Sequence, residues 1–162
     1  MTDSLKIRLE NKEKIMEYKF WGWETADCKP IAEEYKGLKT PRDMYDAMTH
    51  VWCERSCAPS CRAEWSKDNM TAGQCSITSF LVQDIFGGEV YGVPLDGGGF
   101  HCYNVVGDCR FDLTSEQFGG KVLVYDEKHP QSREKHFASE EKYERYLYIK
   151  KELKAYLEKL GK

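Results

Sequence analysis

A cysteine, a histidine and an aspartate stand in that order between positions 75 and 112, each inside a short distinctive string. Cys75 closes Gly73-Gln74-Cys75, His101 lies in Phe100-His101-Cys102-Tyr103-Asn104, and Asp112 in Phe111-Asp112-Leu113-Thr114. A thiol becomes a nucleophile when a base takes its proton, and that base needs a third group to hold its tautomer. These residue types therefore offer the parts for attack on an amide or ester carbonyl. The equally simple alternative is a small buried cysteine beside a satisfied His–Asp pair, with no chemistry.

The elements that must position them are legible around each string. Thr71-Ala72-Gly73-Gln74 has the capping-box form, followed by Ile77, Phe80, Leu81 and Ile85 at helical spacing and ended by Gly87-Gly88. Whether Thr71 or Gln74 begins this helix, Cys75 falls near its first turn. Unpaired N–H groups and the positive end of the helix dipole there favour a thiolate and could bind an oxyanion. Gly107-Asp108 separates two strand-like runs and predicts a two-residue hairpin turn. That turn pairs Val106 with Cys109, Tyr103 with Asp112 and His101 with Thr114. Alternation then puts His101, Tyr103 and Asp112 on one face, with His101 and Asp112 as diagonal neighbours. Cys102 and Cys109 point to the other face, which demotes both as partners of His101.

Elsewhere the pattern predicts an N-terminal hairpin (or amphipathic helix) over 5–23 and a short helix over 30–35. A helix follows from Thr40-Pro41 to about Arg55. Strands are predicted at 89–93, 99–106, 109–113 and 121–125, and a charged terminal helix over 139–160 that packs on its own domain. The order of helix, clustered strands and helix indicates an α+β fold in a single domain, 1–162, with its core at about 40–126. Gly97-Gly98-Gly99 lacks the residues of a phosphate loop and reads as a connection ahead of His101. His129 and His136 sit in a polar segment and are expected to be solvated.

The chain has 162 residues, 41% hydrophobic and 13% aromatic, enough for one well-buried domain. A formal charge of −3 and a pI near 5.9 speak against nucleic acid as the main partner. No apolar run approaches the ~18 residues of a membrane span. The first residues lack the apolar stretch of a secretory signal, so the seven cysteines are expected as reduced thiols in the cytoplasm. His50, Cys53, Cys57 and Cys61 form a second constellation, the cysteines at four-residue intervals. On an unbroken helix they could hold zinc, but Pro59 interrupts it and the spacing is unusual for zinc. No metal or other cofactor is therefore expected, and a zinc module through those four residues stands as a rival. Trp52 and Trp65 flank this loop as core or cleft-wall residues, with Trp65 a candidate for stacking on a substrate.

The strings from Trp65 to Phe118 resemble the YunG-like family of uncharacterised bacterial proteins. They include Gly73-Gln74-Cys75, Gln83-Asp84, Phe86-Gly87-Gly88-Glu89, His101-Cys102-Tyr103-Asn104 and Asp112-Leu113-Thr114. More distantly, a helix-borne Cys, a strand His and a strand Asp followed by Thr resemble the transglutaminase-like branch of papain-fold enzymes. The resemblance implies a papain-like α+β core, its nucleophile helix packed on an antiparallel sheet, and Cys75 as nucleophile. With it goes a thioester route in which His101 moves the proton and Asp112 orients the imidazole. The Cys75 amide, and the Gln74 side chain if it is not a cap, would bind the oxyanion. The substrate would be an unknown amide- or acyl-bearing small molecule or protein, with hydrolysis, deamidation and acyl transfer left open. A non-catalytic binding or scaffold domain that retains the three residues as packing is the other alternative.

Overall fold

The helix that bears Cys75 is the centre of the molecule. In the computed structural model, which describes residues 17–162, Ile77, Phe80, Leu81, Val82, Ile85 and Phe86 are all buried. A helix apolar nearly all round must be covered on every side. Helix α1 spans Pro41–Met48 and helix α2 Cys75–Phe86. Strands β1, β2 and β3 span Glu89–Pro94, Phe100–Val106 and Cys109–Phe111. Helices α3 and α4 span Arg133–Phe137 and Glu140–Lys159. Helix α2 packs on β1 and β2 on one side and on α4 on another, while α1 packs on α4. Phe20, Tyr35, Leu38, Met44, Met48 and Trp52 complete the apolar interior.

The sheet is antiparallel in the order β1-β2-β3, which gives an α+β architecture. Between β2 and β3 the register is Val106 with Cys109, Val105 with Arg110 and Asn104 with Phe111, as the Gly-Asp turn predicts. Gly107, at φ 57, supplies the positive dihedral that such a turn needs. The ladder stops one residue before the expected Tyr103–Asp112 pair. Asp112 instead donates its N–H to the Trp21 carbonyl at 2.9 Å, so a segment near the N-terminus covers the far side of β3.

Other expectations are corrected. Helix α1 ends at Met48 rather than Arg55, because local bonds outcompete the helix. Val51 and Trp52 both donate to the Met48 carbonyl, and the Ser56 hydroxyl bonds both the N–H and the carbonyl of Cys53. The capping box does not form. Gly73 sits at φ 67, a left-handed conformation that delays the helix, and Gln74 becomes its N-cap without a side-chain cap bond. Residues 121–125 form no strand although they alternate as one, with Val122 and Val124 exposed and Leu123 and Tyr125 half-buried. The far side of β3 is held by Trp21, and these residues bridge to no other strand.

The short helix over 30–35 is a single 3-10 turn, Glu33–Tyr35. Helix α3 has no counterpart in the sequence reading; the Ser132 hydroxyl caps it, accepting from the Lys135 N–H at 3.4 Å. Helix α4 lies where expected, capped by Ser139. Most of the expected N-terminal hairpin lies outside the described residues. Among the described residues, no helix is long and apolar enough to cross a membrane.

Candidate active site

Cys75 is the first residue of α2, half-buried and directed into a cleft of about 550 Å³ that His101 and Phe118 also line. Strand β2 packs on α2 and brings His101 to this end of the helix. The His101 Nε2 and an Asp112 carboxylate oxygen are 2.6 Å apart, and both side chains are almost wholly buried. Nδ1 of His101 is buried with no hydrogen-bond partner, and the Cys75 thiol lies close enough to act on the charge of the ring. Phe118 packs edge-on against the imidazole, with ring centroids 4.6 Å apart. The structure thus brings together the three residues that the sequence singles out.

Asp112 is held from four directions. Oδ2 receives His101 and the Tyr125 hydroxyl, the latter at 2.8 Å, while Oδ1 accepts from the N–H and hydroxyl of Thr114. Tyr125 stacks on Trp21 at 3.7 Å, so the carboxylate sits beneath an aromatic lid. Sequence reasoning identified Asp112-Leu113-Thr114 but missed Tyr125, whose alternation in 121–125 was the available signal. Removing its hydroxyl leaves a buried carboxylate one donor short, which costs about 1–3 kcal/mol. Tyr125→Phe is therefore expected to lower the urea midpoint without changing the slope of the transition.

Charge at the site is asymmetric. The Cys75 thiol is held well below the usual range, first by hydrogen bonding from the Cys102 thiol. Burial opposes this, and the positive imidazole of His101 then adds to the lowering. Cys102 is correspondingly pushed well above its usual value, by the same contact with Cys75 and by burial. For His101, burial favours the neutral ring, but Asp112 and Cys75 outweigh it and raise the imidazole to about 10. The favoured state is a thiolate beside an imidazolium, with the N–H groups of the first turn of α2 free of intrahelical acceptors.

Cys102 corrects the sequence reading. It does face away from His101, into the core, yet Cys75 reaches both positions from the helix end. His136 is corrected too: it is half-buried at the cleft, with Nε2 2.8 Å from the Gln131 amide oxygen and Nδ1 3.0 Å from Lys142 Nζ. Burial first, and then Lys142, lower its pKa.

Gln74 is fully buried, and its amide nitrogen donates to the Cys53 carbonyl at 3.0 Å. That contact turns the side chain toward the cysteine loop rather than toward an oxyanion. Trp65 does not line the cleft; its indole N–H donates to the Met70 carbonyl at 3.0 Å. Of His50, Cys53, Cys57 and Cys61, only Cys57 and Cys61 lie together, both against Gly73. His50 stacks on Tyr156, Cys53 lies beside Ser56 and Tyr148, and the Cys57 thiol reaches the Ala58 carbonyl. Cys61 opens to the cleft. Among the described residues, no three His, Cys, Asp or Glu side chains form a metal-holding group. The chain turns at Met48–Ser56 and at Pro59, so four-residue spacing does not place these four residues on one face.

Comparison with known proteins gives one consistent relationship. A Bacillus subtilis (strain 168) protein described as "Uncharacterized protein YunG" is 34% identical over 85 residues, which is 51% of this chain and 70% of that protein. No solved structure matches. The family described as YunG protein matches residues 40–158, a span that takes in α1, α2, the sheet and nearly all of α4. On that match, the chain belongs to the YunG family.

Proposed function

We propose that this protein is a cysteine-nucleophile enzyme acting on an amide or acyl substrate through a thioester, on a papain-like or transglutaminase-like core. One observation supports this above the others. His101 commits Nε2 to Asp112 and leaves Nδ1 buried and unpartnered beside a cysteine that opens a helix and lines the same cleft. A purely structural His–Asp pair would have no need of a cleft-lining thiol at the remaining ring nitrogen.

The Cys75 sulfur attacks the carbonyl carbon and the electron pair moves onto the oxygen, stabilised by N–H groups of the first turn of α2. Collapse expels the leaving amine or alcohol, which takes the proton from His101 Nδ1. Water or an amine then gives its proton to Nδ1 as it attacks the thioester. Asp112 and, behind it, Tyr125 and Thr114 keep the imidazole oriented throughout. Gln74 and Trp65 have no part in these steps.

The reading is tested by incubating the protein with 4-nitrophenyl acetate, quenching in acid and mapping acetyl groups by peptide mass spectrometry. Acetyl on the Cys75 peptide, labile to hydroxylamine and absent from Cys75→Ala, is the expected result. Acetylation spread over lysines with Cys75 unmodified would overturn it, leaving a scaffold that keeps these residues as packing.

A further inference from the structure

The walls of the cleft are electrically one-sided. Lys135, Lys142 and Arg145 line it together with His136, and among the described residues no aspartate or glutamate does. The three cations are not equivalent. Arg145 is buried and spends its guanidinium on Glu141 and on the Ser56 carbonyl, so its charge is already matched. Lys135 is exposed at the rim. Lys142 is half-buried, and among the described residues no carboxylate lies within ion-pairing distance of its Nζ.

What holds Lys142 instead is a neutral ring. Nδ1 of His136 accepts from Nζ at 3.0 Å, while Nε2 of the same ring donates to the Gln131 amide oxygen at 2.8 Å. The relay fixes the ammonium in place without neutralising it and uses one of its three donors. Withdrawing an ammonium from water with no opposite charge is costly. A bound anion would supply what the protein withholds. Lys135 also lacks an ion pair but stays in solvent at the rim; Lys142 alone is half-buried and fixed, and one fixed ammonium suits a single negative charge, a carboxylate.

Resting on the proposed thioester chemistry, we infer that the substrate is an acyl donor carrying a carboxylate, which Lys142, held by His136, binds beside Cys75. Lys142 is then a specificity-determining residue of the cleft.

Two matched electrophiles test this. Iodoacetate and iodoacetamide alkylate the same thiolate, so the ratio of their rate constants cancels any change in thiolate fraction. Both rates are read at the Cys75 peptide and compared with N-acetylcysteine. In the wild type the iodoacetate-to-iodoacetamide ratio is expected to exceed that of the free thiol by about tenfold at low salt, falling as salt screens the cleft. Lys142→Gln is expected to abolish most of this excess, and Lys142→Arg to retain it. A wild-type ratio equal to that of the free thiol overturns the inference, and needs no variant to fold. A ratio unchanged in Lys142→Gln also overturns it, showing that the lysine only tunes the thiolate. If iodoacetamide itself reacts no faster than with the free thiol, it is the thioester reading that fails, and the inference falls with it.

Discussion

Replacing His101 with alanine is expected to slow iodoacetamide alkylation of Cys75 at pH 7 by roughly tenfold to a hundredfold. In the wild type the thiol is acidified well below its usual 9.0, and the imidazole is raised to about 10. Between the depressed thiol value and about 10 the ion pair is the resting state, so the alkylation rate should be flat over that window. Its acid limb should lie well below 9.0. Without the imidazolium, the burial of Cys75 acts against the charged form, and the limb moves up toward that of an ordinary thiol or beyond.

Cys102→Ala removes the other stabilising contact and is expected to move the limb in the same direction. Because Asp112 keeps its three bonds from Tyr125 and Thr114, loss of His101 does not strand the carboxylate. The peptide-resolved pH profile checks both variants; an acid limb unmoved in His101→Ala would mean no ion pair. The same pair links stability to pH. For His101, whose folded pKa is raised, the stabilising contribution is complete below its ordinary 6.5 and is lost as pH rises through about 10. For Cys75, whose folded pKa is lowered, it is complete above 9.0 and is lost as pH falls through the depressed value.

The second large effect lies two residues before Cys75. Gly73→Ala is expected to cost about 2–5 kcal/mol, from a left-handed backbone and an overpacked contact together. Gly73 sits at φ 67, and an added Cβ would stand 2.6 Å from the Cys57 sulfur and 2.7 Å from the Ala58 nitrogen. The Ala58 N–H donates to the Gly73 carbonyl at 2.9 Å, so relief of the clash also pulls the cysteine loop off the turn that carries Cys75. Loss of stability and loss of Cys75 reactivity should therefore appear together. Gly97→Ala is the comparison: nothing lies within 4 Å of its added Cβ and its φ is not in the left-handed region, so its effect should stay within about 0.5 kcal/mol. Urea denaturation of the three proteins measures both.

The core of the candidate site was legible because its determinants are local. A Gly-Asp turn sets the register of β2 and β3, and side-chain alternation does the rest, placing His101 diagonal to Asp112. The apolar spacing of Ile77, Phe80, Leu81 and Ile85 marks α2, and Gly87-Gly88 ends it. What misled the reading was competition between local signals. The capping box at Thr71 lost to the left-handed Gly73, and the helical pattern beyond Met48 lost to Ser56 and to paired turn bonds. The strand pattern of 121–125 is genuine, but a strand needs a neighbouring backbone to bond, and Trp21 had already taken that edge of β3.

By itself, then, the sequence determined the helix that begins at Cys75, the hairpin register and the pairing of His101 with Asp112, because each depends on residues only a few positions apart. The remainder was decided by tertiary structure. Cys102 matters because α2 begins where both faces of β2 are within reach, a fact of helix-on-sheet docking that alternation cannot reveal. Tyr125 reaches Asp112 because Trp21 provides a surface for it to stack on, across 104 residues of chain. The unmatched charge of Lys142 is visible only when α3 and α4 close over the cleft and His136 turns inward to hold it. Periodicity records which way a side chain points; only the packed fold decides what it meets there.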